Sequence, residues 1–473
     1  MQKTRLLWSW TQTRLYNLKV GDRIQYAINS IIALAQCATG ISEMLSLCSL
    51  VFRAGKYPRV FEATHETLNQ LDSSLWLSIL PQLFAHNQSP FINLRKLAED
   101  LIARCLFEHH HLTIFSLLCS MKINKELNGT TDILNRFSRD HPKIVADATA
   151  IHAGLHRACF PRTENWLYTL NLGAEFFKQG RYEEMQQLLE ENFQSLKAAE
   201  SDSDVFFNRR FSERILTLAP TFRRFFVTRS KKDIESIWPE YRTIISALKV
   251  ELDSMTVIPL RFVAPQLASL EDTNIAIFGS YQPHEPTILI KRFAPSLEAL
   301  LSKQRPKKVT VLGSDGHQYR YLLKGHEDLR LDQRVIQIFT LLNSYIPAQM
   351  LKIVTNFIMP LSLQVGLIQW IPGSDTFFKL IRDYRIAHNH PYDEEARMIA
   401  SKSIQRYDEL TPIQRMEILG EVESETSDSV LAEILWMNSS TSELWLEKVL
   451  TFSRSAALMS VVGYVLGLGD RHP

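Results

Sequence analysis

The stretch that decides the fold is Lys308-Val-Thr-Val-Leu312, Ser314-Asp-Gly316 and Gln318-Tyr-Arg-Tyr-Leu-Leu-Lys324. Two runs rich in β-branched and aromatic residues flank an Asp-Gly pair, which is the strongest short-range signal for a β-hairpin. The second strand ends at Lys324, so the sequence places a cation at the end of a sheet strand.

Further strands are predicted on both sides of this hairpin, at 257–263, 275–278, 287–293, 353–361 and 366–371. A helix is predicted over 328–344, because its apolar residues recur at helical spacing on one face. From 375 to 467 the pattern is helical again. An antiparallel sheet with one helix, followed by a helical domain, predicts a two-lobed α+β layout.

The sequence before the sheet contains only helical patterns. Residues 1–160 predict helix pairs joined by short loops, which is typical of an α-solenoid. Residues 161–250 predict a compact four-helix bundle with helical blocks at 166–177, 182–196, 208–228 and 233–248. The whole chain is therefore predicted to be mostly α with an α+β portion.

Three consecutive histidines, His109, His110 and His111, interrupt the solenoid pattern. Adjacent side chains on a helix point in different directions, so the three cannot converge on one metal ion. The sequence predicts a solvated helix edge at this point.

Composition excludes several classes of protein. The 473 residues carry a net charge of +2, which argues against a nucleic-acid-binding surface. The five cysteines all precede Phe160 and show no Cys-x-x-Cys spacing, as expected for buried thiols in a reducing compartment. The apolar run 458–468 is short and contains glycines, so no transmembrane segment is predicted. We expect a soluble, intracellular protein.

Lys324 is followed by two acids, Glu327 at the entry of the predicted helix and Asp332 about one turn into it. A lysine on a strand that is paired with an acid on the adjacent helix can hold the phosphates of a nucleotide. Each such pair alone is more often a surface salt bridge of little energetic value. The order of elements makes a chance pairing less easy to accept, because a joint between lobes and then a polar turn follow the lysine and the acids.

That joint is Trp370-Ile-Pro372, and the turn is Asp470-Arg-His-Pro473 after an apolar helix. A joining segment can bind an adenine edge, and an Asp in a loop can orient an attacking hydroxyl. Read alone, 461–473 is more simply a helix C-cap with a solvated Asp-Arg pair. The pattern departs from ordinary protein kinases, because it has no Gly-x-Gly-x-x-Gly and the turn reverses the order His-Arg-Asp.

Both departures are shared with one group. The segments 302–306 (Ser-Lys-Gln-Arg-Pro), 323–330 (Leu-Lys-Gly-His-Glu-Asp-Leu-Arg) and 467–473 resemble the phosphatidylinositol 3-kinase-related protein kinases. The segments 279–283 (Gly-Ser-Tyr-Gln-Pro) and 366–372 (Gly-Leu-Ile-Gln-Trp-Ile-Pro) are similar to its target-of-rapamycin branch. The resemblance covers nearly the whole chain and is strongest from about residue 258 onward.

The resemblance implies four domains. They are the C-terminal part of a FAT solenoid (1–160), an FKBP–rapamycin-binding-like bundle (161–250), a kinase N-lobe with hinge (251–372) and a partial C-lobe (373–473). It implies a serine/threonine protein kinase in nutrient and growth signalling that uses ATP and Mg²⁺, in the cytoplasm or at endomembrane surfaces reached through partners. The implied partners are protein substrates, a WD-repeat β-propeller subunit docked on 389–427 and a HEAT-repeat scaffold subunit.

The resemblance also implies roles for single residues. Asp470 would orient the substrate hydroxyl, and His472 would stabilise charge on the transferring phosphoryl group. Lys324 would hold phosphate and pair with Asp332. The implied ATP-binding residues are Ser302, Gln304, Pro306, Lys324, Glu327, Asp332, Asn356, Trp370 and Ile371. Asn356 takes the place of a tyrosine of the family.

The bundle departs from the family at its drug cleft. Gly173, Phe177 and Trp238 match the cleft, but Arg242 and Ile245 stand where the family has a tyrosine and a phenylalanine. Each lost ring removes apolar contact of about 1.5–3 kcal/mol if fully buried. We therefore predict weak or no binding of FKBP–rapamycin.

The sequence ends before the family's metal-binding Asn and its Asp-Phe-Gly, so no metal ligand is predicted within it. We expect this chain alone to be inactive and prone to aggregation through the helix over 445–466, and a fragment explains this more simply than a pseudokinase. Two alternatives stay open: a phosphatidylinositol kinase, which shares the reversed loop, and a non-catalytic helical scaffold.

Overall fold

The computed structural model describes residues 20–123, 128–196, 198–300, 302, 304–347, 349–403 and 406–469. These residues fall into two compact units. The first unit runs to residue 341 and includes 356–370, and the second contains 342–355 and the residues from 371 onward.

The first unit begins with a helical solenoid. Its helices are α1 (Val20–Cys37), α2 (Ile41–Ala54), α3 (Pro58–Gln70), α4 (Ser73–Leu77), α5 (Leu80–His86), α6 (Ile92–Glu108), α7 (His110–Ile123), α8 (Asn128–Asp140) and α9 (Pro142–Cys159). Proline occupies the first turn of α3, α5 and α9, where its missing N–H costs nothing. The apolar faces of these helices share one core with the sheet described below.

A separate bundle follows, with its own aromatic core. Its helices are α10 (Arg162–Gln179), α11 (Tyr182–Ser195), α12 (Asp202–Phe207), which continues through a π-helical turn (Asn208–Ser212) into α13 (Glu213–Thr228), and α14 (Lys231–Ser254). Gly180 ends α10 with φ of 73°, a left-handed conformation that glycine adopts without strain. The four helical blocks predicted from the sequence are all present.

The sheet of the first unit is antiparallel, with strand order β1-β3-β4-β5-β7-β6 and β2 paired to β4. The strands are β1 (Val257–Pro259), β2 (Ile290–Phe293), β3 (Ser296–Ala299), β4 (Lys307–Gly313), β5 (Gln318–Gly325), β6 (Ile358–Pro360) and β7 (Val365–Gln369). Helix α17 (Arg330–Tyr345) follows β5, and the short helices α15 (Leu260–Val263) and α16 (Pro265–Ala268) follow β1. The predicted β4–β5 hairpin and the mixed fold class are confirmed.

Three strand predictions need correction. Residues 260–263 form α15, and 353–357 lie outside any strand. Residues 275–278 form only an isolated bridge, Ala276 to Leu289. All four of these residues are buried, and a short buried apolar run cannot be distinguished from a strand by periodicity alone. β3 was not predicted.

The histidine triad is not a solvated edge. His109 is 7% exposed; its Nε2 lies 2.9 Å from Ser73 Oγ and its Nδ1 lies 2.8 Å from Tyr281 Oη. His111 Nδ1 accepts a hydrogen bond from the backbone N–H of Ala276 at 3.2 Å. The prediction was wrong because the loop 275–281 covers this part of the solenoid, a contact that local sequence does not reveal.

The second unit is helical. Its helices are α18 (Phe377–Ala387), α19 (Glu394–Lys402), a 3₁₀ turn (Tyr407–Glu409), α20 (Pro412–Glu425), α21 (Val430–Met437) and α22 (Ser442–Leu466). Thr411 and Gln414 form a capping box at the start of α20. The expected docking element at 389–427 therefore consists of α19, the 3₁₀ turn and α20.

Helix α22 corresponds to the helix expected over 445–466. It runs for 25 residues and is long and apolar enough to cross a membrane, and none of its apolar window is buried in the structure. The apolar run that begins at residue 458 is the C-terminal part of this helix, which starts at Ser442. One such helix is a weak indication of a span, since core helices of soluble proteins meet the same criteria.

Candidate nucleotide-binding site

The candidate site lies on the sheet face that points away from the shared core. On β4 and β5 buried residues alternate with less buried ones, as expected when one face packs on a core. Val309 and Tyr321 form a cross-strand pair on the buried face. Lys308 and Leu322 pair on the opposite face, and Lys324 is two residues further along that face. The second face therefore combines apolar surface with cationic side chains.

Lys324 pairs with Glu327 and not with Asp332. The Lys324 Nζ lies 3.1 Å from Glu327 Oε2, and both side chains are about one-third exposed (31% and 33%). Among the residues that the structure describes, this is the lysine's carboxylate partner within salt-bridge distance. Gly325 and His326, the latter with φ of 61°, turn the chain so that Glu327 reaches back. Asp332 lies exposed in the first turn of α17.

Such an accessible pair contributes at most about 1 kcal/mol to stability. Its weak hold leaves the Lys324 ammonium available to an incoming anion. The pair is therefore better suited to binding a phosphate than to holding the fold together.

The loop that precedes β4 lies next to this lysine. Lys307 pairs with Leu323 in the sheet register, so Pro306 lies at the level of Lys324. The loop is closed by two backbone bonds, Leu300 N–H to Pro306 O at 2.9 Å and Arg305 N–H to Ser302 O at 3.1 Å. Ser302 and Gln304 are exposed. The short loop that the sequence proposed over the phosphates is therefore at the correct end of the strand.

The end of β7 brings two other predicted residues together. The Trp370 N–H donates to Arg320 O at 2.9 Å, and Lys308 Nζ lies 6.0 Å from the Trp370 ring centroid. Asn356 Nδ2 donates to Gln369 O at 3.4 Å, next to the Phe357 N–H, which bonds the Gln369 side chain. An aromatic ring and an amide thus flank the strand end where an adenine is expected.

The other predicted site residues are outside this cluster. Ile371 belongs to the second unit and is 41% exposed. Asp470 and His472 lie outside the described residues, so their predicted roles stay predictions. The described part of the chain brings no three His, Cys, Asp or Glu residues together in a metal-binding group. A nucleotide fits the cationic and aromatic groups of the sheet face; Mg²⁺ stays a prediction.

The predicted drug cleft of the bundle is built around Trp238. Phe177 packs against it edge-on, with ring centroids 5.5 Å apart. Behind it lies Tyr241, which is 1% exposed and donates its hydroxyl proton to Leu170 O. A Cβ on Gly173 would come within 3.3 Å of the Tyr241 hydroxyl, so glycine leaves that ring its space.

The two residues that replace family aromatics also occupy α14. Arg242 is exposed and Ile245 is half-buried against the bundle core. Neither supplies an aromatic wall for the cleft.

Sequence reasoning missed a buried ion pair at the junction of solenoid, bundle and sheet. Lys307 Nζ donates to Glu164 Oε1 at 2.6 Å and to Cys159 O at 2.7 Å, and its side chain is only 2% exposed. Burial raises the pKa of Glu164, and the charge of Lys307 opposes that shift. A signal was available, because consecutive lysines in a strand point to opposite faces, so one of Lys307 and Lys308 must face the core.

His326 was also missed. Its ring stacks on Tyr168 of α10, with centroids 3.8 Å apart and planes within 20°, and it lies 4.6 Å from the Phe160 ring. Burial lowers its pKa. The turn that carries Glu327 back to Lys324 is thus fixed by the bundle and the end of the solenoid.

Comparison with known proteins agrees with this arrangement. Residues 318–473 match the phosphatidylinositol 3- and 4-kinase model, and residues 154–250 match the FKBP12-rapamycin binding domain. The chain is 31% identical over 453 residues to the serine/threonine-protein kinase mTor of Drosophila melanogaster, with 92% of this chain covered. It is 31% identical over 456 residues to the serine/threonine-protein kinase TOR of Oryza sativa subsp. japonica, with 93% covered. It spans only 18% of the length of each relative.

A solved structure of the FAT and kinase domain of CtTel1 is similar to this chain, with a TM-score of 0.61 and 16% identity. The matched region covers 100% of this chain and 30% of the CtTel1 chain. At that identity the likeness shows the fold alone. The fold and both domain matches define a phosphatidylinositol 3-kinase-type kinase domain preceded by FAT-like helices and an FKBP12-rapamycin binding domain. Over 92–93% of its length the chain is similar to target-of-rapamycin kinases, and it carries the two domains that the family models name.

Proposed function

We propose that this protein transfers the γ-phosphoryl group of ATP to serine and threonine residues of protein substrates, as a kinase of the target-of-rapamycin type. The observation that carries the proposal is Lys324 at the end of β5, on the open sheet face, whose salt-bridge partner among the described residues is the accessible carboxylate of Glu327. The sequence identity to kinases that carry that name supports the choice of substrate class.

The proposed chemistry consists largely of positioning and charge neutralisation. Lys324 would bind the α- and β-phosphates, while the loop with Ser302 covers them from the preceding turn. Leu322 would lie under the adenine, with Trp370 at its edge. Asp470 would orient the acceptor hydroxyl, and His472 would stabilise the charge on the transferred group. When bound, Mg²⁺ would neutralise charge on the β- and γ-phosphates.

The partners and location stay part of the proposal. A WD-repeat subunit on 389–427, a HEAT-repeat subunit and a cytoplasmic site of action follow from the family alone. Binding of FKBP–rapamycin is proposed to be weak or absent, because Arg242 and Ile245 leave the Trp238 cleft without two aromatic walls.

Nucleotide binding tests the proposal at its base. The full chain is titrated with a non-hydrolysable ATP analogue, and thermal unfolding and calorimetry are followed. We expect the analogue to raise the unfolding midpoint in a saturable way. Lys324→Ala should weaken the affinity for the analogue at least tenfold. Lys291→Ala, which removes an exposed lysine from β2, is the matched control and should bind like the unchanged chain. Equal affinity in all three proteins would contradict the assignment of Lys324.

The acceptor is tested separately. Serine- and threonine-containing protein substrates and phosphatidylinositol vesicles are offered with labelled ATP and Mg²⁺. Label on serine or threonine supports the protein-kinase proposal, and label on lipid alone supports the phosphatidylinositol kinase alternative. Because this chain alone is expected to be inactive, nucleotide binding without transfer to either acceptor agrees with that expectation. The non-catalytic scaffold would instead be favoured by the absence of nucleotide binding.

A further inference from the structure

A cavity of about 150 Å³ lies between the solenoid and helix α17, within the first unit. Its walls come from α5, α7, α17 and Pro360 of β6. Arg330 and Arg334 line it from one face of α17, one turn apart, and Ser116 and Ser120 line it from α7. The nucleotide-binding proposal uses none of these residues.

The two arginines differ in their partners. Arg330 is neutralised, because its Nε lies 2.9 Å from Asp328 Oδ1 and its Nη2 lies 2.7 Å from Asp328 Oδ2. Arg334 makes a single hydrogen bond among the described residues, from Nη1 to Gln337 Oε1 at 3.3 Å, and no described carboxylate lies within salt-bridge distance. The cavity therefore carries one uncompensated positive charge.

The surroundings keep Arg334 in place and make its charge costly. Gln337 is itself fixed, since its Nε2 donates to Ser78 O at 2.7 Å and to Gln82 Oε1 at 3.0 Å. Burial lowers the pKa of Arg334, and the neighbouring charge of Arg330 lowers it further. A half-buried guanidinium without an anion is an unfavourable arrangement that a bound anion would relieve.

We propose that this cavity is a binding site for the phosphate group of a small soluble compound. A guanidinium supplies forked N–H donors that match the geometry of a tetrahedral oxyanion, and the Ser116 and Ser120 hydroxyls supply donors from the opposite wall. The cavity has room for a phosphate with a few waters, each of which takes about 30 Å³. A bound phosphate would link α7 of the solenoid to α17, the helix that follows the Lys324 turn.

The test uses the full chain and inorganic phosphate as the probe. Binding is followed by calorimetry at constant ionic strength with chloride as the balancing anion, and we expect saturation with a Kd on the order of 1 mM or below. Arg334→Gln should weaken phosphate binding at least tenfold. Arg334→Lys should bind phosphate more weakly than the unchanged chain and more tightly than Arg334→Gln, because it keeps the positive charge and loses the forked N–H donors. Arg59→Gln, which removes an exposed arginine of α3, should change nothing.

Lys324→Ala separates this site from the nucleotide site. Phosphate binding that is unchanged in Lys324→Ala supports the cavity, whatever the result for ATP; binding lost in Lys324→Ala and kept in Arg334→Gln overturns it.

Modification of the unchanged chain by phenylglyoxal provides a readout that needs no variant. Phosphate should protect Arg334 more than Arg59, as measured by mass spectrometry of the peptides. Equal modification of both arginines with and without phosphate, or binding of acetate as tight as that of phosphate, would overturn the proposal.

Discussion

The ion pair of Lys307 and Glu164 should be the most sensitive polar contact of the first unit. Lys307→Met removes the cation and leaves two buried acceptors, the Glu164 carboxylate and the Cys159 carbonyl, without their donor. Glu164 Oε2 already lacks a described partner. Removing one partner of a buried ion pair costs about 3–5 kcal/mol. We take the loss of the hydrogen bond to the Cys159 carbonyl to be included in that range. We expect the free energy of unfolding to fall by about 3–5 kcal/mol.

The adjacent lysine provides a matched control. Lys308 Nζ lies 2.9 Å from Glu298 Oε2 on the open face, where the carboxylate side chain is 57% exposed. Lys308→Met should therefore cost no more than about 1 kcal/mol. Urea unfolding followed by tryptophan fluorescence measures both variants. Similar losses for the two lysines would refute the argument that burial sets the cost.

A second variant and a pH series sharpen the test. Glu164→Leu combined with Lys307→Met should cost less than Lys307→Met alone, because the double change leaves no buried charge. In Lys307→Met, burial raises the pKa of Glu164 and only the charge of Arg305 is left to oppose that shift. A folded-state pKa above the unfolded value gives stability that is present at low pH and lost as pH rises through the folded pKa. The defect should therefore shrink on acidification toward the ordinary glutamate pKa.

Two further predictions concern the histidines and the bundle. Burial lowers the pKa of His111 and His156 to about 4. The stability that these neutral histidines contribute should be complete above the ordinary pKa of 6.5 and be lost as pH falls toward 4. His111→Asn and His156→Asn should each reduce the slope of unfolding free energy against pH, and an unchanged slope would contradict this. Arg242→Tyr with Ile245→Phe should restore binding of FKBP–rapamycin in calorimetry, and nanomolar affinity of the unchanged chain would contradict the predicted loss.

Local patterns predicted the parts of the fold that depend on neighbours in sequence. The Asp-Gly pair fixed the β4–β5 register, and Lys324 took its expected place because strand alternation determines which face a residue points to. The four blocks of the bundle followed from helical spacing in the same way.

Contacts between distant segments could not be predicted. The loop around Tyr281 buries His109, and a turn at His326, held by Tyr168, directs Glu327 and not Asp332 to Lys324. Each of these results depends on which distant segments pack against each other. Hydrophobic periodicity predicts local secondary structure and does not predict those contacts. The burial of Lys307 is an intermediate case. Strand alternation requires either Lys307 or Lys308 to face the core, but it does not predict that Glu164 is the partner.

The central claim is that Lys324 holds the phosphates of a bound nucleotide. An ATP derivative with a reactive acyl phosphate acylates the lysine that lies against its phosphates, and mass spectrometry identifies that residue. We predict modification at Lys324 that excess ATP suppresses, with little modification of Lys308 on the same face. Modification that is spread over surface lysines and is insensitive to ATP would contradict the account.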